Sequence, residues 1–325
     1  MTALVSIVAL AACAVLLARL SGPASRLLPP RMAAWSLTVC SVLVAAATAF
    51  VLGTAAFETA AQLPVVASLG QWSPRSLQGA GGSVAVGLLS LAVLTVALLA
   101  GVYRAGASVR DLARTERTCR QVGGSPGEVV VITDARPDAY ALAGISTGRI
   151  VVSTAMLDQL DGLELRSVIA HEASHLRHRH HVFLSVGACV GAANPLLRPV
   201  STTVRAVVER WADEDAARAV GDRRVVARAI ARAGLAVGAF QHGSVLRRGL
   251  AATAGDVPGR ATALLQPPPR PNRLLAAALA LIAVAAVASG ATQGESTERQ
   301  FEQARDAYVA QSVPASQAAQ SVLVT

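Results

Sequence analysis

Long apolar runs, separated by shorter polar stretches, dominate the first third of the chain and return once near its C-terminal end. The runs cover residues 3–18, 33–57, 83–103 and 274–289. An α-helix needs roughly 20 residues to cross the hydrocarbon layer of a bilayer, and the second and third runs reach that length. The first and fourth runs, of sixteen residues each, are shorter and need some flanking residues to complete a span. Trp35, Phe57 and Tyr103 lie near run ends, where membrane helices collect aromatic residues. The pattern predicts a mostly α-helical membrane protein with four transmembrane helices.

Between the third and fourth runs the pattern changes to short strands and amphipathic helices. "EVVVIT" (128–133) and "RIVVS" (149–153) are rich in β-branched residues and are flanked by turn residues, so each predicts a strand. "DGLELRSVIAHEASHLRHRH" has apolar residues at helical spacing, and Asp161 followed by Glu164 predicts a capped helix start. Further helices are expected after residue 200. The region between the spans should therefore be an α+β domain.

The segment "VFLSVGACVGAANPLL", residues 182–197, complicates this division. Its sixteen residues fall short of a perpendicular span, and Asn194-Pro195 interrupts its far end. We interpret it as a helix that continues from the preceding histidine-rich helix and dips into the membrane domain or packs against it. Whether it crosses the membrane stays open.

Charge indicates how the spans are oriented. All 29 basic residues are arginine, the formal net charge is +9, and the mean hydropathy is +0.48. Arginines gather at 19–31 and 104–120, whereas residues 58–82 carry one arginine and one glutamate. Cytoplasmic loops are the arginine-rich ones, which places these two segments in the cytoplasm.

Four regions follow from the runs and the charge. They are a three-span membrane region 1–103, a cytoplasmic domain 104–272, a fourth span 273–290 and an extracytoplasmic polar tail 291–325. Arginines beside spans explain the basic charge without nucleic acid, and no nucleic-acid motif is present. The arginine-only, alanine-rich composition favours a bacterial plasma-membrane protein. The sequence leaves open whether it forms a homo-oligomer.

The stretch "HEASHLRHRHH", residues 171–181, holds five of the chain's six histidines. His171 and His175 are four apart, so on a helix they lie on one face and their imidazoles can bind one tetrahedral ion. Glu172 lies on the adjoining flank, where it can accept a proton from water bound to zinc. His178 could also face the metal, but we interpret it, with Arg177, Arg179, His180 and His181, as a cationic helix end beside anionic lipid.

A third metal ligand is expected on another element. The cysteines form no C-x-x-C pair, which argues against a thiolate site. "ERWADEDAA", residues 209–217, lies on a predicted helix and places Glu209 and Asp213 four apart. One carboxylate could bind the metal while the other orients a ligand histidine.

The stretch "AYALAGISTGRIVVSTAMLDQLDGLELRSVIAHEASH", followed by "NPLL" and "ERWADEDAA", resembles the membrane-embedded gluzincin metallopeptidases. The nearest branch is similar to the bacterial beta-lactam sensor/antirepressor peptidases, and the prenyl-protein and heat-shock membrane endopeptidases are more distant. The resemblance implies a zincin-like catalytic domain that holds one Zn²⁺ through His171, His175 and Glu209. Glu172 would be the general base and Asp213 the partner of a ligand histidine. It does not extend to a penicillin-binding sensor domain, because residues 291–325 contain no S-x-x-K motif.

The resemblance also implies a strand near Ile150–Ser153 that aligns an extended peptide by edge pairing. Tyr140 and several arginines are candidates for stabilising the tetrahedral oxyanion. The sequence thus predicts a membrane-bound zinc endopeptidase in which Glu172 activates zinc-bound water to hydrolyse a cytoplasmic regulator or a membrane protein. The alternatives are a non-catalytic membrane signal transducer with a structural metal site, and a scaffold whose histidines bind only lipid.

Overall fold

The structure, a computed structural model, describes residues 2–79, 83–144, 148–242 and 256–312. Most of these residues are helical. The helices are α1 (Thr2–Leu27), α2 (Pro30–Ala60), α3 (Pro64–Gly70), α4 (Pro74–Gly79), α5 (Val84–Val122), α6 (Thr154–Gln159), α7 (Gly162–Arg177), α8 (His180–Ala193), α9 (Arg198–Val220), α10 (Arg223–His242), α11 (Val257–Leu265) and α12 (Arg273–Ser312). The strands are β1 (Val129–Ile132), β2 (Ala139–Ala143) and β3 (Gly148–Ser153).

Helices α1, α2, α5 and α12 are long and apolar enough to cross a membrane. Together with the small sheet they confirm the predicted fold class, a mostly α membrane protein with a small α+β domain between the third and fourth spans. Two of them continue well past their apolar runs: α5 extends to Val122 and α12 to Ser312. Hydropathy marks the apolar part of a helix and not its end, because an exposed polar helix carries no hydropathy signal.

Strand β3 is the central strand of the three-stranded sheet. It pairs in parallel with β1 and antiparallel with β2. The expectation that the strand near Ile150–Ser153 offers an open edge to a peptide is therefore wrong, since both of its edges are occupied. Strand β2 lies at the sheet edge, and the sequence analysis missed it because "AYALA" is mostly alanine, a poor strand former.

The sheet packs closely on α7. A Cβ added at Gly148 would lie 2.9 Å from Cδ2 of Leu176, closer than side chains approach one another. The buried residues Ile150 and Val152 of β3 share an apolar cluster with Met156 and Leu160. Leu165, Ile169 and Leu176 of α7 pack against this cluster, which fixes the position of α7 relative to the sheet.

Helix α9 belongs to the same apolar core as the membrane helices. Its buried Val200, Val204, Val207 and Val208 pack in one cluster with residues of α1, α2, α8 and α12. Arg210 donates a hydrogen bond to the backbone carbonyl of Ser25 in the last turns of α1. The polar part of the chain is therefore built directly onto the membrane helices.

The histidine-rich stretch does not form one continuous helix, which corrects the sequence interpretation. Helix α7 ends at Arg177, His178 is its C-cap, and Arg179 has φ 50° in the left-handed region before α8 begins. The chain therefore turns at Arg179. Helix α8 has 14 residues, about 21 Å at 1.5 Å per residue, which is shorter than the roughly 30 Å hydrocarbon layer.

Candidate metal centre

Helix α7 places His171 and His175 side by side. Its start is held by the predicted capping box: Asp161 accepts the backbone N–H of Glu164, and the Glu164 carboxylate accepts the N–H of Asp161. Nε2 of His171 lies 3.1 Å from Nε2 of His175. The i, i+4 spacing thus brings two imidazole nitrogens to one point, as the motif predicts.

Helix α9 adds the third donor at this point. The Glu209 carboxylate lies 3.6 Å from Nε2 of His171 through Oε2 and 3.8 Å from Nε2 of His175 through Oε1. The three residues offer ligand atoms that all lie within 4.8 Å of one another, as a metal site requires. Burial alone would raise the pKa of Glu209, but contacts with His171, His175 and Arg260 lower it to about 2.

Asp213 contacts the other nitrogen of His171. Its Oδ1 lies 2.9 Å from His171 Nδ1, and its side chain is only 2% exposed. Burial by itself would lower the pKa of His171, but hydrogen bonds to Asp213 and Glu209 raise it to about 10. Burial and the charge of His171 lower the pKa of His175 to about 4. The contact from Asp213 to Nδ1 leaves Nε2 of His171 directed at the cluster.

Glu172 lies beside the cluster and contacts the edge of the sheet. Ile150 donates its N–H to the backbone carbonyl of Glu128, on the β1 side of β3. Ala141 is the antiparallel partner of Ile150, so the N–H of Ala141 points away from β3, toward the outer edge of β2. This N–H donates to the Glu172 carboxylate. Burial raises the pKa of Glu172 to about 7, although the charge of His171 and the Ala141 N–H act in the opposite direction.

Arg260, on α11, is a site residue that the sequence analysis missed. It donates to both oxygens of Asp213, from Nε at 2.8 Å and from Nη2 at 2.6 Å, and its Nη1 lies 3.1 Å from Oε2 of Glu209. Its side chain is 15% exposed, so the ion pairs are largely shielded from water. A lone arginine in "GDVPGRATALL" has no neighbouring pattern that would have pointed to the site.

His178, His180 and His181 do not form the expected cationic helix end, since burial lowers the pKa of His180 and His181. His180 is fully buried, and its Nδ1 lies 3.0 Å from Nδ1 of His175. Burial, together with the nearby His175 and His178, lowers the pKa of His180 to about 3, so this ring is neutral. His178 contacts Asp215 instead of the cluster, with Nε2 2.8 Å from Oδ2. The turn at Arg179 directs His180 inward.

The fold and the site define a membrane protein with a candidate His-His-Glu metal centre. Residues 108–190 match the family model described as Peptidase family M48. This range contains His171, Glu172 and His175 but ends before Glu209. No solved structure matches the chain.

Two curated relatives are both named protease HtpX homolog. The one from Acidiphilium cryptum is 39% identical over 90 residues, which is 26% of this chain and 30% of the relative. The one from Aeropyrum pernix is 32% identical over 114 residues, which is 32% of this chain and 36% of the relative. The chain thus spans about a third of the length of these relatives. The matches support a membrane-bound metallopeptidase, and the resemblance to the beta-lactam sensor branch stays a prediction.

Proposed function

We propose that this protein is a membrane-bound zinc endopeptidase that hydrolyses peptide bonds of a cytoplasmic regulator or a membrane protein. The observation that carries the proposal is the convergence of His171, His175 and Glu209 from two helices, with Glu172 beside them. A structural metal site usually fills four positions with protein ligands, whereas a catalytic site uses three and keeps one open. Three donors and an adjacent carboxylate favour the catalytic kind.

The spacing of the donors fits zinc. Ligand bonds of about 2.0–2.1 Å in a tetrahedron place neighbouring donor atoms about 3.3 Å apart. The two imidazole nitrogens are 3.1 Å apart, and the Glu209 carboxylate lies 3.6 Å from His171 through Oε2 and 3.8 Å from His175 through Oε1. With one donor atom taken from each residue, all three atoms lie within 4.8 Å of one another, so a small closure would bring them to the distances of a zinc site. When bound, zinc would supply the positive charge that polarises a peptide carbonyl and acidifies water. Asp213 would hold the His171 ring through Nδ1, as carboxylates commonly do for ligand histidines.

Glu172 is the proposed general base. Its carboxylate is held by the Ala141 N–H, lies next to the three donors and takes no part in the donor cluster itself. It would remove a proton from the attacking water and deliver that proton to the leaving amine. Arg260 balances the charge of Asp213 and Glu209 and so keeps both carboxylates ionised inside the protein.

The open edge of β2 is the proposed alignment site for an extended substrate. It lies next to Glu172. The Ala141 N–H already donates to Glu172, so a peptide added along this edge would pair with the remaining outward-facing backbone groups and bring its own backbone close to the base. The arginines at 19–31 and 104–120 support a cytoplasmic catalytic domain. The substrate would accordingly be reached from the cytoplasm.

Replacing Glu172 with glutamine tests the proposal. Glu172→Gln keeps the shape and the donors but removes the proton acceptor, so hydrolysis of labelled casein by the purified full chain should fall by about 10²–10⁴. Zinc content, measured by mass spectrometry, should stay at one per chain. In cells, crosslinking should capture an uncut protein with this variant that wild type releases.

The matched control is Glu298→Gln, the same change on an exposed part of α12, which should leave the rate unchanged. Full hydrolysis by Glu172→Gln would contradict the mechanism. Absence of metal-dependent cleavage in wild type, together with stoichiometric zinc, would instead favour the non-catalytic signal transducer.

A further inference from the structure

A cavity of about 370 Å³ lies where the C-terminal end of α7 meets α9 and the first turn of α2. The residues that matter for its chemistry are Arg31, Arg177, His178, Trp211, Asp215 and Arg218. His171, His175 and Glu209 do not line it, so it is a second site, separate from the metal centre. The proposed peptidase chemistry does not use it.

The cavity carries an excess of positive charge. Arg218 is paired with Asp215, whose carboxylate also contacts His178 and accepts the Ser174 hydroxyl at 2.7 Å. Among the residues that the structure describes, neither Arg31 nor Arg177 forms an ion pair with a carboxylate. Two guanidinium groups that form no ion pair with a described carboxylate therefore border one cavity, whose single acid, Asp215, is already paired with Arg218 and His178. Guanidinium groups match phosphate in both charge and hydrogen-bond geometry.

Trp211 supplies the wall on which one of these arginines rests. Its side chain is buried, and the guanidinium carbon of Arg31 lies 5.9 Å from its ring centroid. This contact holds the charged group over the aromatic face while its N–H edge remains available to a ligand. The arrangement is therefore more specific than a scatter of surface arginines.

The position of Arg31 along the membrane normal indicates the source of the ligand. Arg31 is the second residue of α2, one of the helices long and apolar enough to cross a membrane. One turn further on, Trp35 packs edge-on against Phe183 at 4.9 Å, and aromatic residues of membrane helices collect at the interface. The cavity thus opens at the depth of the lipid headgroups, where phosphate is the abundant anion.

We propose that this cavity binds a phosphate group, and its depth points to the headgroup of an anionic phospholipid. Arg31 and Arg177 would contact the phosphate oxygens. The cavity is also connected to the metal centre, because Asp215 contacts both His178 at its wall and Ser174, which lies between His171 and His175 on α7. An occupied cavity would hold the end of the helix that carries both histidines.

Calorimetric titration of the purified full chain in a neutral detergent tests this site with three probes. They are dihexanoyl phosphatidylglycerol below its micelle concentration, inorganic phosphate, and dihexanoylglycerol, which lacks phosphate. The double variant Arg31→Gln/Arg177→Gln should bind the phosphatidylglycerol at least about tenfold more weakly than wild type, since charge-assisted hydrogen bonds are lost. The control Arg205→Gln/Arg224→Gln removes the same charge from exposed positions that do not line the cavity and should bind like wild type.

The probes separate the two sources of phosphate. The site is assigned to lipid if phosphatidylglycerol binds tightly, if this binding depends on Arg31 and Arg177, and if inorganic phosphate binds only weakly. Binding of inorganic phosphate with the same dependence assigns it to a soluble phosphate compound. Equal binding by the cavity variant and the control variant would overturn the proposal, as would dihexanoylglycerol binding as tightly as the phosphatidylglycerol.

Discussion

Removing the charge of Arg260 should destabilise the protein far more than removing a surface arginine. In Arg260→Met the apolar stem is kept while three charge-assisted contacts, at 2.6, 2.8 and 3.1 Å, are lost. Asp213, 2% exposed, would keep its charge, with His171 as its remaining ion-pair partner among the described residues. Breaking a buried ion pair from one side typically costs about 3–5 kcal/mol. In a chain of 325 residues that lowers the unfolding temperature by about 4–7 °C.

The assay is thermal unfolding of the protein in detergent, monitored by circular dichroism. The protein is first treated with a chelator, because a bound metal would neutralise part of the carboxylate charge. Arg299→Met is the control, because Arg299 pairs with Glu295 at 3.1 Å while both side chains are mostly exposed. Exposed pairs contribute less than about 1 kcal/mol, so its unfolding temperature should change little.

A second change separates an uncompensated charge from lost packing. Asp213→Asn removes the buried negative charge, so adding it to Arg260→Met should recover about 2 kcal/mol of the loss. If the double variant is as unstable as the sum of the single variants, the arginine acts through packing. If Arg260→Met unfolds at the same temperature as Arg299→Met, the reasoning about buried charge is refuted.

Two further predictions concern the metal and the orientation. We expect one zinc per chain in wild type, and Glu209→Ala should lose most of it when zinc content is measured by mass spectrometry. Glu298→Ala, on the exposed face of α12, should keep its zinc. Stoichiometric zinc in Glu209→Ala would show that Glu209 is not a ligand. A reporter active only in the cytoplasm should work when fused after residue 130 and fail when fused after residue 310. The reverse pattern would overturn both the orientation and the cytoplasmic substrate.

Local patterns were enough to predict the elements that carry the metal donors. Three of these patterns lie within one helix: the capping box at Asp161, the helical spacing of apolar residues and the H-E-x-x-H motif. Because all of them depend on residues close together in the chain, the sequence alone was enough to predict α7 and its two histidines. The i, i+4 spacing of Glu209 and Asp213 indicated two carboxylates on one helix face, and the resemblance to the gluzincin peptidases chose Glu209 as the ligand. The structure brings His171, His175 and Glu209 together.

The missed features depend on contacts between distant parts of the chain. Arg260 reaches the site only because α11 packs beside α9, and nothing near it in sequence signals a buried ion pair. Strand β2 forms because it pairs with β3 and packs against α7, in spite of its alanines. The inward direction of His180 follows from the backbone turn at Arg179, and a run of histidines and arginines does not reveal a left-handed residue.

The shared core of α9 and the membrane helices determines whether the site could exist in a soluble form. A fragment confined to residues 104–272 would contain every proposed metal donor and Arg260, but it would lack α1, α2 and α12. The valines of α9 would then face water, and Trp211 would lose the cover of Arg31. Exposing such a stripe favours aggregation over folding. A fragment released at the membrane boundary would therefore not keep the His-His-Glu site in a folded, soluble form.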